Sequence, residues 1–81
     1  MGRGAGVLEK LTERQLEIYQ YINGYQKQHG YPPSRKEIAK GVNIHSSTLR
    51  AHLLTMEKKA AITWNERIPR SITLLNLYPI K

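Results

Sequence analysis

Ser46-Ser47-Thr48, followed at once by Leu49 and Arg50, is a run of hydrogen-bond donors placed where an amphipathic pattern begins. Hydroxyls donate to phosphate or to base edges, and a guanidinium can donate two parallel hydrogen bonds to O6 and N7 of guanine. Helical spacing brings Ala51 and Leu54 to the same side, and Leu54 is suited to a thymine methyl. His45 stands just before the run. Helix starts usually take Asp or Glu, whose charge offsets the helix dipole. A start that is polar and then basic is poorer for an isolated helix and suits one that faces a polyanion. Two further pairs share this chemistry. Ser34-Arg35 opens an earlier helical pattern, and the amides of such a start can hold a phosphate. Arg67 and Arg70 fall in a polar stretch, where they are candidates for phosphate or minor-groove contact.

Each candidate also has a plainer reading. Either His45 or Ser46 is the cap of its helix; with His45 as cap, Ser46 already lies inside the first turn. Ser34 can be an ordinary cap, and Arg35, Arg50, Arg67 and Arg70 can be solvated. Leu54 is a base contact, part of a dimer patch, or a scattered exposed apolar residue of the kind all surfaces carry.

The elements that must position these residues follow from local pattern. Thr12 and Gln15 form a capping box, with Leu11 and Leu16 at the two staple positions. Leu16, Tyr19, Ile22 and Tyr25 then recur on one helical face, widened by Ile18 and Tyr21, and Gly30 followed by Pro32-Pro33 ends the run. The first helix is expected over about 12–29. Tyr31-Pro32-Pro33 is extended and suits a short edge strand. Ser34 and Glu37 make a second capping box, opening a helix of about seven residues for which Gly41 is the expected stop. After a turn at Val42-Asn43-Ile44, a third helix runs to about residue 59. Leu49, His52, Leu53 and Met56 form its buried face, and Ser47, Arg50, Ala51, Leu54 and Lys58 the opposite one. Ile62/Trp64 and Ile72/Leu74 alternate as two strands joined by a polar loop at 65–70. The expected fold is mainly α with small β: a three-helix winged helix-turn-helix with a C-terminal β-hairpin wing. Residues 11–75 form this domain, residues 1–10 a flexible arm, and residues 76–81 a short apolar tail.

Composition narrows the function classes. The net charge is +7, and residues 34–70 hold eight basic and three acidic side chains. Such basic domains are usually binders of nucleic acid or of acidic surfaces. There are no cysteines, and His29, His45 and His52 are too scattered for a structural metal site. No apolar run approaches the roughly 18 residues of a membrane span, and MGRGAGVLEK lacks the apolar core of a signal peptide. A cytoplasmic, nucleoid-associated protein without membrane contact is expected. His52 reads as a satisfied, partly buried histidine. Tyr19, Tyr21, Tyr25 and Tyr31 read as packing residues and not as a stacking platform for single strands. No Gly-rich phosphate loop, nucleophile triad or paired carboxylates are present, so no enzyme, cofactor or metal is expected.

LTERQ at 11–15, GYPPSRKEIA at 30–39, HL at 52–53, the KK-A-I run at 58–62, and Arg70 with Ile72 and Leu74-Leu75 together resemble the N-terminal DNA-binding domain of the LexA repressors. The resemblance runs from Leu11 to Leu75, and its G-x-PP-[ST]-R-x-EIA stretch is the most specific part. It implies a winged domain whose third helix reads operator DNA and whose wing contacts the backbone. LexA-type repressors carry a second domain with a Ser-Lys protease dyad and a dimer surface; with the chain ending at Lys81, self-cleavage is not expected. SSTLRAHLL also departs from the more acidic and small-residue face usual in the family, so the operator sequence does not transfer.

Two function classes remain at this point. The first is a sequence-specific binder of double-stranded DNA, a transcriptional regulator of bacterial or phage type, with a homodimer on DNA as one mode of use. The tail at 77–80 is then a dimer element or a flank of the core. The second is a protein-interaction adaptor on the same scaffold, docking through Leu54, Trp64, Ile68 and the tail.

Overall fold

The computed structural model describes residues 11–75. Three helices are followed by a two-stranded sheet: α1 (Glu13–His29), α2 (Arg35–Gly41), α3 (Ser46–Lys58), β1 (Ile62–Thr63) and β2 (Thr73–Leu74). The fold is the winged helix-turn-helix expected from the pattern. The arm at 1–10 and the tail at 76–81 lie outside the described residues.

Both capping boxes form. The Thr12 hydroxyl accepts from the Gln15 amide and the Gln15 side chain accepts from the Thr12 amide. Ser34 and Glu37 repeat the arrangement at the start of α2. Gly30 ends α1 with φ of 83°, a left-handed conformation that costs glycine nothing. α2 has the expected seven residues and stops at Gly41. The chain then turns at Asn43, whose φ is 60°. The Ile44 amide donates to the Ala39 carbonyl and the Asn43 amide to the Lys40 carbonyl, the paired bonds of a left-handed helix stop. Gly41 also serves close approach, because a Cβ there would collide with the ring of Tyr21.

Ile18, Tyr19 and Ile22 of α1 meet Ile38 of α2 and Leu49, Leu53 and Met56 of α3 in one core. Ala61, Ile62 and Ile72 close it from the sheet side. The buried stripe of α1 is Gln15, Ile18, Tyr19 and Ile22, one position off the Leu16-Tyr19-Ile22-Tyr25 line expected from the apolar residues alone. Gln15 takes a core position because its amide is satisfied. Its oxygen accepts from the Thr12 amide and from Lys59 Nζ (3.1 Å), and its nitrogen donates to His52 Nδ1 (3.2 Å). His52 is thus the satisfied, half-buried histidine expected.

The strands pair antiparallel, Ile62 opposite Leu74 and Thr63 opposite Thr73. They are shorter than the alternation suggested. Tyr31-Pro32-Pro33 adds no strand; Pro33 packs into the core and the Pro32 carbonyl accepts a side-chain hydrogen bond from Arg70. Among the described residues, no helix is long and apolar enough to cross a membrane.

Candidate nucleic-acid interface

α3 begins differently from the other two helices. His45 is its N-cap, so Ser46, Ser47 and Thr48 occupy the first turn. No side chain caps that turn and no acid lies in it, whereas α1 and α2 each have a full box and a first-turn glutamate. Orphan amides at a helix start are donors awaiting a partner. Ser46, Ser47, Thr48, Arg50, Ala51 and Leu54 are all exposed, and Leu49, Leu53 and Met56 on the other face are fully buried. The helix is therefore held by one face and presents the other to solvent.

The polar loop between β1 and β2 is built on Asn65. Its amide donates to the Ser71 hydroxyl, which in turn donates to the Asn65 carbonyl. Its side-chain oxygen accepts from the Arg67 amide and its carbonyl from the Ile68 amide. This turn sets Glu66 beside α3. Arg50 donates through Nε to Glu66 Oε2 at 2.6 Å and through Nη2 to Oε1 at 3.0 Å. Arg35 closes on the same residue from α2, with Nη1 3.8 Å from Oε2 and its guanidinium 5.4 Å from the Trp64 ring centre. The Arg50 guanidinium holds the Glu66 carboxyl below the usual carboxylate range, and Glu66 raises that of Arg50 in turn. A groove of about 280 Å³ lies between the start of α2 and this loop, lined in part by Ser34, Arg35, Lys36 and Arg67.

Ser34, Arg35, the first turns of α3 and the loop residue Arg67 thus belong to neighbouring elements. Arg70 lines the same groove, but its guanidinium is tied to the start of α2. Its Nη2 donates to Glu37 Oε2 at 2.9 Å and its Nη1 to the Pro32 carbonyl at 3.1 Å, and the group lies 4.9 Å from the Tyr31 ring centre. Its backbone is left-handed, φ 56°. The Arg70 guanidinium, with the Ser34 amide, holds the Glu37 carboxyl down to about 2. Trp64 is half-buried against the core beneath Arg35, while Leu54 and Ile68 are exposed. Of the apolar docking patch considered from sequence, Trp64 is thus only partly accessible, and the tail lies outside the described residues. Glu66 is the functional candidate that sequence reasoning missed; nothing local marks an acid in a polar loop as the partner of an arginine 16 positions away.

Comparison with known proteins follows the same lines. The family model described as the LexA DNA binding domain matches residues 8–71. The LexA repressor of Shouchella clausii is 44% identical over 71 residues, covering 86% of this chain and 34% of that protein. The LexA repressor of Thermosipho melanesiensis is 37% identical over 79 residues, covering 91% of this chain and 40% of that protein. For Staphylococcus aureus strain Mu3 the LexA repressor is 40% identical over 70 residues, with 85% and 34% covered. The chain spans 34–40% of the length of these relatives. A family model matched over most of the chain, on a winged fold with an exposed and uncapped third helix, places it in the LexA DNA-binding domain family.

Proposed function

We propose that this chain is a sequence-specific reader of double-stranded DNA in a transcriptional repressor of LexA type, acting at the nucleoid in the cytoplasm. α3 enters the major groove with its N-terminal end leading, as reading helices of this motif do. Ser46, Ser47, Thr48, Arg50, Ala51 and Leu54 meet base edges and adjacent phosphates, with His45 at the cap. Ser34 and Arg35 bind the flanking backbone from α2, and Arg67 does so from the wing. Arg70 acts at the wing base, where its ties to Glu37 and Pro32 hold the wing in place for such contacts. No residue of the interface is assigned a catalytic step.

The observation that carries this reading is the uncapped, acid-free start of α3, exposed beside a basic wing in a member of the LexA DNA-binding domain family. Two chains on a palindromic site extend the footprint, and such pairing adds avidity of about 10² to 10⁴.

Fluorescence anisotropy on a random duplex pool, followed by selection and a salt series, tests it. One enriched motif is expected, with log affinity falling by about 0.9 per log salt for each phosphate engaged. Arg50→Ala is expected to lose the motif while keeping the fold. Failure to bind any duplex at low salt sinks the reading, and motif symmetry reports whether one or two copies bind.

A further inference from the structure

The best-defined ion pair on the DNA-facing side joins a base-reading candidate to the wing. A carboxylate on a surface meant for a polyanion weakens phosphate binding, so its placement calls for a reason. Glu66 is held by its own turn and by Arg35. The Asn65 turn sets its backbone, Arg35 Nη2 lies 3.5 Å from its carbonyl, and Arg35 Nη1 approaches its carboxylate. Its two oxygens then take Nε and Nη2 of Arg50 side-on. A guanidinium has five donors in a rigid fork. Glu66 uses two of them and leaves the end of the fork, Nη1 and the second hydrogen on Nη2, unengaged among the described residues. The end of the fork is the edge that can donate bidentately to guanine O6 and N7.

Resting on the DNA-reading function proposed above, we propose that Glu66 is a positioning residue for Arg50 and sets its base specificity. Buttressing the side of the guanidinium fixes its plane and directs the end of the fork to a guanine. Neutralising its charge also suppresses indiscriminate phosphate contact, so the pair exchanges general affinity for discrimination. Arg35, stacked on Trp64, holds the buttress.

The test uses the full chain and compares wild type, Glu66→Gln, Glu66→Asp and Arg50→Lys. Each is titrated onto the selected duplex, onto the same duplex with the Arg50-dependent guanine replaced, and onto random duplex, across salt. The Arg50-dependent position is the one whose preference vanishes in selection with Arg50→Ala. Glu66 is exposed in a loop, and circular dichroism confirms folding of each variant.

For Glu66→Gln, discrimination at that one base pair is expected to fall about fivefold or more, the lower end of a bidentate contact. Random-duplex binding is expected to tighten, with the salt slope steeper by about 0.9 as Arg50 turns to a phosphate. Glu66→Asp restores part of the discrimination. Arg50→Lys loses it as Glu66→Gln does, because an ammonium has no side edge for the carboxylate and no fork for the base. Equal tightening on all three duplexes, with discrimination intact, overturns the proposal and makes Glu66 a mere competitor for Arg50. Unchanged binding in Glu66→Gln also overturns it, and leaves DNA reading standing. Failure of the wild type to select any motif removes the DNA-reading function itself, and this inference with it.

Discussion

Gln15 is the one buried polar side chain among the described residues, only 4% exposed, and it joins the start of α1 to the middle of α3 and to the residue that follows that helix. Gln15→Met keeps its length and removes its polar atoms. Three hydrogen bonds are lost. The Thr12 amide is at an exposed residue and turns to water at little cost. Lys59, a charged donor, loses this one acceptor, and His52 Nδ1 loses its donor. A hydrogen bond is worth about 0.5–1.5 kcal/mol net, more when one partner is charged, and the methionine recovers some apolar burial. The expected cost is about 2 kcal/mol, or about 8–16 °C in Tm at roughly 4–8 °C per kcal/mol for a domain of this size. For 81 residues total stability is expected at about 4–12 kcal/mol, so this loss is a large share. Thermal and urea unfolding followed by circular dichroism measures it. Removing both partners of a buried hydrogen bond costs less than removing one. Gln15→Met combined with His52→Leu should therefore be more stable than the two single effects add up to, by about 1 kcal/mol. A Tm within about 3 °C of wild type for Gln15→Met, or strict additivity in the cycle, refutes the claim that this tie orients α3 against α1.

The remaining expectations concern pH, two glycines and the wing. The folded Glu37 carboxyl is held at about 2 against an ordinary 4.5, first by its hydrogen bond from Arg70. Between those values the unfolded chain binds more protons, so the contribution is complete above about pH 4.5 and is lost as pH falls toward 2. Tm against pH should show that acid limb in wild type and a flatter one in Glu37→Gln. Gly24→Ala, in open space on α1, should raise stability by about 1 kcal/mol, seen as a higher urea midpoint. Gly41→Ala should lack that gain, because the Tyr21 ring must move to admit the methyl. Arg67→Ala should weaken binding alike on all duplexes and reduce the salt slope by about 1, with the selected motif unchanged.

Whatever is written in neighbouring residues was readable from sequence. Thr12 with Gln15 and Ser34 with Glu37 are three apart, and both boxes formed because each needs only one turn of helix. The spacing of Leu49, Leu53 and Met56 gave the buried face of α3 in the same way. Stops were harder. The left-handed residue after α2 is Asn43, and after α3 it is Ala60 at φ 63°, where no glycine announces the turn. Which groups would satisfy one another across the fold was not readable. Gln15 looks like a surface residue until His52 and Lys59, 37 and 44 positions away, supply its partners.

The arginines show why the site was the least legible part. Sequence places Arg50 on a helix face and Arg67 and Arg70 in a polar loop, but leaves each free to be a DNA contact or merely solvated. In the fold an acid decides what each can do. Glu37 captures Arg70, 33 positions away, and the Pro32 carbonyl and Tyr31 ring flank it, so its guanidinium ties the wing to the start of α2. Glu66 takes only one edge of Arg50. Arg67 has no acidic partner among the described residues, which suits a phosphate contact that carries no base information. The helix ends divide in a parallel way. α1 and α2 each satisfy a first-turn amide and the cap amide internally, while α3 has no side-chain cap and forgoes about 1 kcal/mol of capping. Fully burying one Leu side chain contributes about 1.5–3 kcal/mol, so Leu49, Leu53 and Met56 outweigh the missing cap. The core face keeps α3 in place, and its donors stay available for an external acceptor.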